Sequence, residues 1–320
     1  MRLIILKSLI YVTLIAICLE LIIRVFHLHQ EYPQFIINDL NVKTYEPNQN
    51  GYYTVGNRRM NFAEFHINKS GFNSYREFIP SKNKQNIALI GDSFIEGLHQ
   101  NYYKSIGKKI ENKLKDSVNV FEYGHSGYDF ADQLYLIKAY QEKFNDIDKI
   151  IIYLKFENDL KRDFYEPDQY WIDSQYFVFS KIKKNIKLLS YMDGIGALEP
   201  LRELKTRIVS FGHTSKNNHS NKKTDITNKQ HQEYLDNFKK LIELYDFDKN
   251  KTSFLLDARS TSEQFLNYCD SLNYKYIDFG KALEKSRKPT TLIYDMHWNN
   301  HGRDIIASVI ADYIRQNNHQ

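Results

Sequence analysis

Apolar residues follow three rhythms along this chain. Between Leu3 and Phe26 they form one run, interrupted by charge only at Lys7, Glu20 and Arg24. From about 30 to 85 they scatter among Tyr, Asn and Pro, with enough alternation in GYYTVGNRRMNFAEFHINKSGFNS to predict a hairpin. From Ile87 onward, short apolar runs bounded by turn residues alternate with stretches of helical spacing. A short run of that kind reads as a strand buried on both faces, as in a parallel sheet covered by helices.

Five strands are predicted: IALIG at 87–91, VNVFEYG at 118–124, KIIIYLKF at 149–156, TSFLLDA at 252–258 and YKYIDF at 274–279. Helices are predicted up to about Lys115, from about Asp129 to Lys143, over 261–272, and from 302 in GRDIIASVIADYIRQ. This alternation implies an α/β fold with a doubly wound, mainly parallel, five-stranded sheet. The rhythm breaks between about 165 and 230, an insertion between the third and fourth strands. Helical stretches fill SKIKKNIKLLSYMDGIGALEPLRELKTRIVSFG, and HTSKNNHSNKKTDITNKQHQ is polar enough to predict mobility. The insertion is a candidate lid or protein-partner surface. The organisation expected is an anchor over 1–28, an irregular lead-in over 29–85 and an α/β domain over 86–320, with no internal repeat.

At about 1.5 Å per residue, Leu3 to Ile23 can span a hydrocarbon core of about 30 Å with Lys7 and Arg24 at its edges. The run therefore predicts a single membrane-spanning anchor. A signal peptide competes with that reading, but no small-residue cleavage site follows, and Cys18 follows isoleucine where a lipobox needs a small residue. Glu20, the run's only acid, disfavours a surface-lying amphipathic helix. Arg2, Lys7 and the amino terminus outweigh Arg24, which places the N-terminus in the cytoplasm and the domain outside.

Charge changes the picture little. Lys+Arg 44 against Asp+Glu 39 leaves +5 with no dense basic block, which gives nucleic-acid binding no support. Two cysteines, Cys18 and Cys269, build no disulfide framework and lack zinc-site spacing. No Walker loop, G-x-G-x-x-G, zincin motif or G-x-S-x-G stands in the sequence, so no cofactor or metal is implied and the α/β-hydrolase elbow is disfavoured.

The strand ends hold the candidate chemistry. The first strand runs into Gly91, Asp92 and Ser93; YGHSGYD, with Gly124 and Gly127, follows the second; FEND, with Asn158 and Asp159, follows the third; YDMHWNNHG, with Asp295 and His297, follows the last. In a doubly wound sheet these segments emerge on one edge, where ligands bind. Taken alone, Ser93 either caps the next helix or serves as a nucleophile, and both glycines are turn residues. Asp92 reads as a local hydrogen-bonding residue, and Trp298 and Asn299 as shapers of their loop. His99 and His125 lie near the same edge, within reach of a substrate, and read as ordinary partly exposed residues. His297 and His301 stand four apart, as a metal pair on a helix would, but Asp295 two residues before His297 fits a triad, whereas His301 lies next to Gly302 at the start of the last helix.

Four blocks in this order, GDSFIEG, HSGYD, FEND and DMHWNNHG, resemble the SGNH branch of the GDSL hydrolase family. The anchor ending in LELIIRVF and the HINKSGFN lead-in resemble its bacterial membrane-anchored members. The resemblance implies a flavodoxin-like strand order, Ser93 as nucleophile, His297 as its base and Asp295 as the group orienting the imidazole. It implies an oxyanion hole made by the backbone N–H of Ser93 and Gly127 and the carboxamide of Asn158. The FEND block departs from the family in having Phe156 where a glycine usually stands two before the asparagine. The implied activity is a serine esterase or acyl hydrolase working through an acyl-enzyme. The expected substrate is an ester, on O-acylated cell-surface polysaccharide, glycolipid or lipid. An O-acyltransferase using the same triad, and a non-catalytic polysaccharide-binding or assembly protein, are the alternatives.

Overall fold

Ile87, Ala88, Leu89 and Ile90 are entirely buried, and their side chains alternate between two separate hydrophobic clusters. That is the signature of a central strand covered on both faces. A computed structural model describes residues 1–56, 59–200 and 228–318 of the chain. It divides into two compact units, one of Met1–Tyr32, Tyr52–Phe62 and Gln169–Asp225, the other of Pro33–Gly51, Ala63–Asp168 and Ile226–Gln320.

The second unit holds five strands, β1 (Gln85–Gly91), β2 (Val118–Gly124), β3 (Lys149–Tyr153), β4 (Thr252–Leu256) and β5 (Lys275–Asp278). They form one sheet in the order β2-β1-β3-β4-β5. Every pairing is parallel, with Gly91 opposite Gly124. The doubly wound, flavodoxin-like order is therefore the architecture of this unit. Ala88 and Ile90 pack with Leu134 and Leu136 of one helix and Phe238 and Leu241 of another, while Ile87 and Leu89 pack with Ile106, Ile110, Ile306 and Ile310 on the opposite side.

Those helices start where the sequence supplies caps. After the four-residue α2 (Ser93–Glu96), α3 (Ile106–Lys113) is capped by the Ser105 hydroxyl, which accepts the Lys108 N–H. A capping box of Asp129 and Asp132 opens α4 (Phe130–Ala139). The single helix expected up to Lys115 is thus two helices with a 3₁₀ turn between them, and the one expected over 129–143 is interrupted at Tyr140. The third strand is shorter than 149–156 because Lys155 donates its N–H to Asp159 Oδ2 at 2.8 Å and Phe156–Asp159 coils into a helical turn. Two small two-stranded sheets, Phe35–Ile37 with Lys43–Tyr45 and Asn50–Val55 with Asn61–His66, occupy the lead-in.

In the first unit, α1 (Arg2–Val25) is long and apolar enough to cross a membrane, a property a signal sequence shares. The described part of the insertion contributes α5 (Gln169–Ser174), α6 (Val178–Asn185) and α7 (Lys187–Gly194). Glu20 of α1 accepts the N–H groups of Lys187 at 3.0 Å and Leu188 at 2.6 Å. It thereby satisfies the first turn of α7, whose own N-cap, Ile186, has no side-chain acceptor. The polar stretch expected to be mobile lies mostly outside the described residues. The chain returns at α8 (Asn228–Leu244), followed by α9 (Glu263–Ser271) and α10 (Asn300–Asn318).

Candidate active site

Ser93 is the first residue of α2, held there because Asp92 is extended and its carboxylate accepts the Phe94 N–H at 2.8 Å. The acid of the G-D-S triplet thus acts locally, as its position suggested, and the serine projects from the carboxyl edge of β1. His297 arrives from the loop before α10. Its Nε2 lies 2.7 Å from Ser93 Oγ, and its Nδ1 lies 2.9 Å from Asp295 Oδ1. Asp295 also accepts the backbone N–H of His297 at 2.6 Å, so one carboxylate fixes both the ring and the peptide that carries it. Burial pushes the Asp295 carboxyl up, but these bonds from His297 outweigh it and hold the group below the ordinary carboxylate range.

Packing holds the imidazole from the side. The Phe94 ring stacks on it at 4.6 Å between centroids, and the His99 ring lies 4.4 Å away. Lys155 Nζ stands 3.8 Å over Phe94 and 3.2 Å from Asp92 Oδ2. Trp298 is buried against Phe94, Tyr153 and Phe279. The Asn299 amide donates to the carbonyls of Pro289 and Thr291, so both residues shape the loop as their sequence positions suggest. Arg303 of α10 is buried and donates to the carbonyls of Phe94 and Trp298, each at 3.1 Å. One guanidinium therefore ties the peptide beside the nucleophile to the peptide beside the base.

The remaining candidates sort clearly. Gly127 has φ +77°, in the left-handed region where an L side chain is strained, and a Cβ there would meet only Lys43 Nζ at 3.9 Å. Gly124 has a different reason to be glycine: a Cβ would lie 2.1 Å from the Glu96 backbone nitrogen, so β2 ends pressed against α2. Asn158 is exposed and donates its amide to Asp159 Oδ1 at 3.2 Å. Asp159 is itself buried, and burial, with the nearby Asp92 charge, pushes its carboxyl up to about 8. His125 is not the partly exposed residue expected but is buried between Tyr45 and Tyr128, and burial draws its pKa down to about 3. His301 lies away from the triad, 2.9 Å from Ser286 Oγ.

Two contributors, Glu96 and Lys155, were not legible from sequence, and a third, His99, was legible only as a residue near this edge. Glu96, three residues after Ser93, is buried and accepts the Ser126 N–H at 2.9 Å, the Ser126 hydroxyl and the Tyr45 hydroxyl. It anchors the turn that leads into Gly127. His99 places Nε2 3.7 Å from Asp295 Oδ2, and burial, reinforced by His297, lowers its pKa to about 4. An uncharged ring leaves Asp295 to His297. Lys155 contributes through Asp92 and Phe94. His99, Asp295 and His297 also present ligand atoms within 4.8 Å of one another, but His297 Nδ1 and Asp295 Oδ1 are already engaged with each other at 2.9 Å. A cleft of about 490 Å³ adjoins the site, lined by Lys155, Asn158, Arg259, Thr290, Met296 and Trp298 among others.

The fold and side chains define a doubly wound α/β protein with a Ser-His-Asp constellation at the carboxyl edge of its sheet. No protein-family profile and no curated protein sequence matches the chain. Among solved structures it is similar to a member of the lipolytic protein G-D-S-L family from Veillonella parvula (16% identity, 71% of this chain and 97% of that one, TM-score 0.40). It is similar to a lipase/acylhydrolase from Enterococcus faecalis (11%, 73% and 96%, TM-score 0.42). A third similar structure is a carbohydrate acetylesterase family member from Sinorhizobium meliloti (10%, 72% and 98%, TM-score 0.38). At such identities and TM-scores the likeness carries no argument about chemistry, which the side chains must supply.

Proposed function

We propose that the chain is a serine esterase of the SGNH/GDSL type that forms an acyl-enzyme on Ser93. The observation that carries this reading is the relay from Ser93 Oγ to His297 Nε2 at 2.7 Å and from His297 Nδ1 to Asp295 at 2.9 Å. A serine hydroxyl attacks an ester carbonyl well only if a base removes its proton in the same step. His297 is placed to accept that proton and return it to the departing alcohol oxygen, while Asp295 stabilises the imidazolium between the two events. Water, activated by His297 in turn, then attacks the acyl carbon and releases Ser93.

The tetrahedral intermediate needs donors for its oxyanion. The N–H groups of Ser93 and Gly127 are assigned this role, and neither donates to a backbone acceptor among the described residues. Asn158 is the third donor: Asp159 accepts one of its two amide hydrogens and so orients the other. In the adjoining cleft Lys155, Asn158, Arg259, Ser260 and Thr290 place hydrogen-bonding groups along a mainly apolar wall, which suits an acyl group carried on a hydroxyl-bearing partner. With α1 as a membrane anchor and the N-terminus cytoplasmic, the domain faces outward. The substrate class is then an O-acylated polysaccharide or glycolipid of the cell surface, or a lipid ester.

The test is fluorophosphonate labelling of the full chain, read by intact mass, on wild type, Ser93→Ala and His297→Ala. One adduct on the wild type, absent from both variants, is expected. A folded wild type that takes no label overturns the reading.

A further inference from the structure

We infer that the segment from Gln169 to Ile195 lies in the lipid headgroup layer beside α1, as a second membrane contact of this chain. This rests on α1 crossing the bilayer. The segment's depth follows from three contacts inside the first unit. Glu20 of α1 holds the N–H groups of Lys187 and Leu188, Arg24 donates to the Asn185 carbonyl at 2.5 Å, and Lys187 Nζ lies 3.2 Å from Glu31 Oε1. At 1.5 Å per residue, Glu20 stands about 27 Å along the axis from Arg2, close to the far edge of a hydrocarbon core about 30 Å thick. Residues bonded to Glu20 therefore stand at the interface. The short helices and bends around them belong among headgroups, because irregular backbone exposed to hydrocarbon has no partner for its polar groups.

The side chains fit that layer. Tyr170 and Val178 are 73% and 75% exposed, and Trp171, Phe177 and Phe179 are each about half exposed. So many large apolar side chains on one short stretch mark a binding surface. Tyr and Trp are the residues enriched at membrane interfaces, and Lys181 and Lys184 add basic side chains to the helix, while Lys183 pairs with Asp193. A surface for a soluble protein partner would not need to sit level with the end of a membrane helix.

The chain carries its own probe, since it has two tryptophans and Trp298 is 3% exposed in the other unit. The full chain is placed in nanodiscs whose acyl chains are brominated either near the headgroup or near the methyl end. Trp171→Phe gives the background of Trp298. The expected result is a loss of Trp171 emission that is greater with shallow than with deep bromine, absent from Trp171→Phe and reduced in Phe179→Asp. Protein that resists alkaline extraction from membranes but shows no quenching of Trp171 overturns the proposal and leaves the segment to a protein partner. Stronger quenching by deep bromine overturns it as well. Protein stripped by alkali overturns the spanning helix, and the proposal with it.

Discussion

The carboxylate of Glu96 accepts both the backbone N–H of Ser126, at 2.9 Å, and its hydroxyl, so the turn that begins with the nucleophile also grips the loop carrying Gly127. Glu96→Gln keeps the shape but forfeits part of this grip. A weakened buried hydrogen bond of this kind costs about 1–2 kcal/mol, so kcat should fall about 5- to 30-fold with KM little changed. Steady-state kinetics on a short-chain ester, set beside a thermal melt, separates this from simple unfolding.

Ser93, His297 and Asp295 act as one unit in the proposed mechanism. Ser93→Ala and His297→Ala should each lower turnover by about 10⁴-fold or more, and the double variant should be no worse than either alone. Multiplied effects would mean that the hydroxyl and the imidazole act separately.

Asn158 and Gly127 should separate by readout. Asn158→Ala removes an exposed side chain and should cost about 10²–10³-fold in kcat through the lost oxyanion donor. Its effect on stability should be about 1 kcal/mol, from the hydrogen bond it donates to buried Asp159. Gly127→Ala keeps the N–H but forces a Cβ into the left-handed region at φ +77°, so it should cost about 1–2 kcal/mol of stability.

Asp159 gives a pH test. Its carboxyl is raised by burial to about 8 in the folded chain, so the folded state holds a proton that the unfolded state releases near the ordinary aspartate range. The stability this provides is complete below about pH 4 and is lost as pH rises toward 8. Glu122, raised by burial to about 7, has the same sign. Urea denaturation across that range should show wild type losing stability with pH and Asp159→Asn losing less, at about 1.4 kcal/mol per unit of pKa shift.

What the sequence reveals of this protein follows from the range of its interactions. The β1 strand is written in four consecutive residues, and the sheet follows from repeating that local pattern. The four blocks reach the edge because topology alone brings strand ends together. His125 escapes such reasoning because Tyr45 and Tyr128, which bury it, come from different segments. Glu96 and Arg303 look like ordinary polar residues in sequence, and only long-range contacts with Tyr45, Ser126 and Phe94 show why they are buried. The lead-in hides its buried Val42 and Phe72 within a stretch of mostly polar composition.

The relay between Ser93 and His297 closes across 204 residues of chain, and Arg303, which clamps both sides of it, comes later still. A growing chain that has emerged only as far as α9 carries the serine with no imidazole to take its proton. In the proposed mechanism the Ser93 hydroxyl therefore lacks its base until the segment carrying His297 has been made and has docked. In that mechanism α10 works as a timer, since arming the serine waits on a segment 204 residues further along the chain.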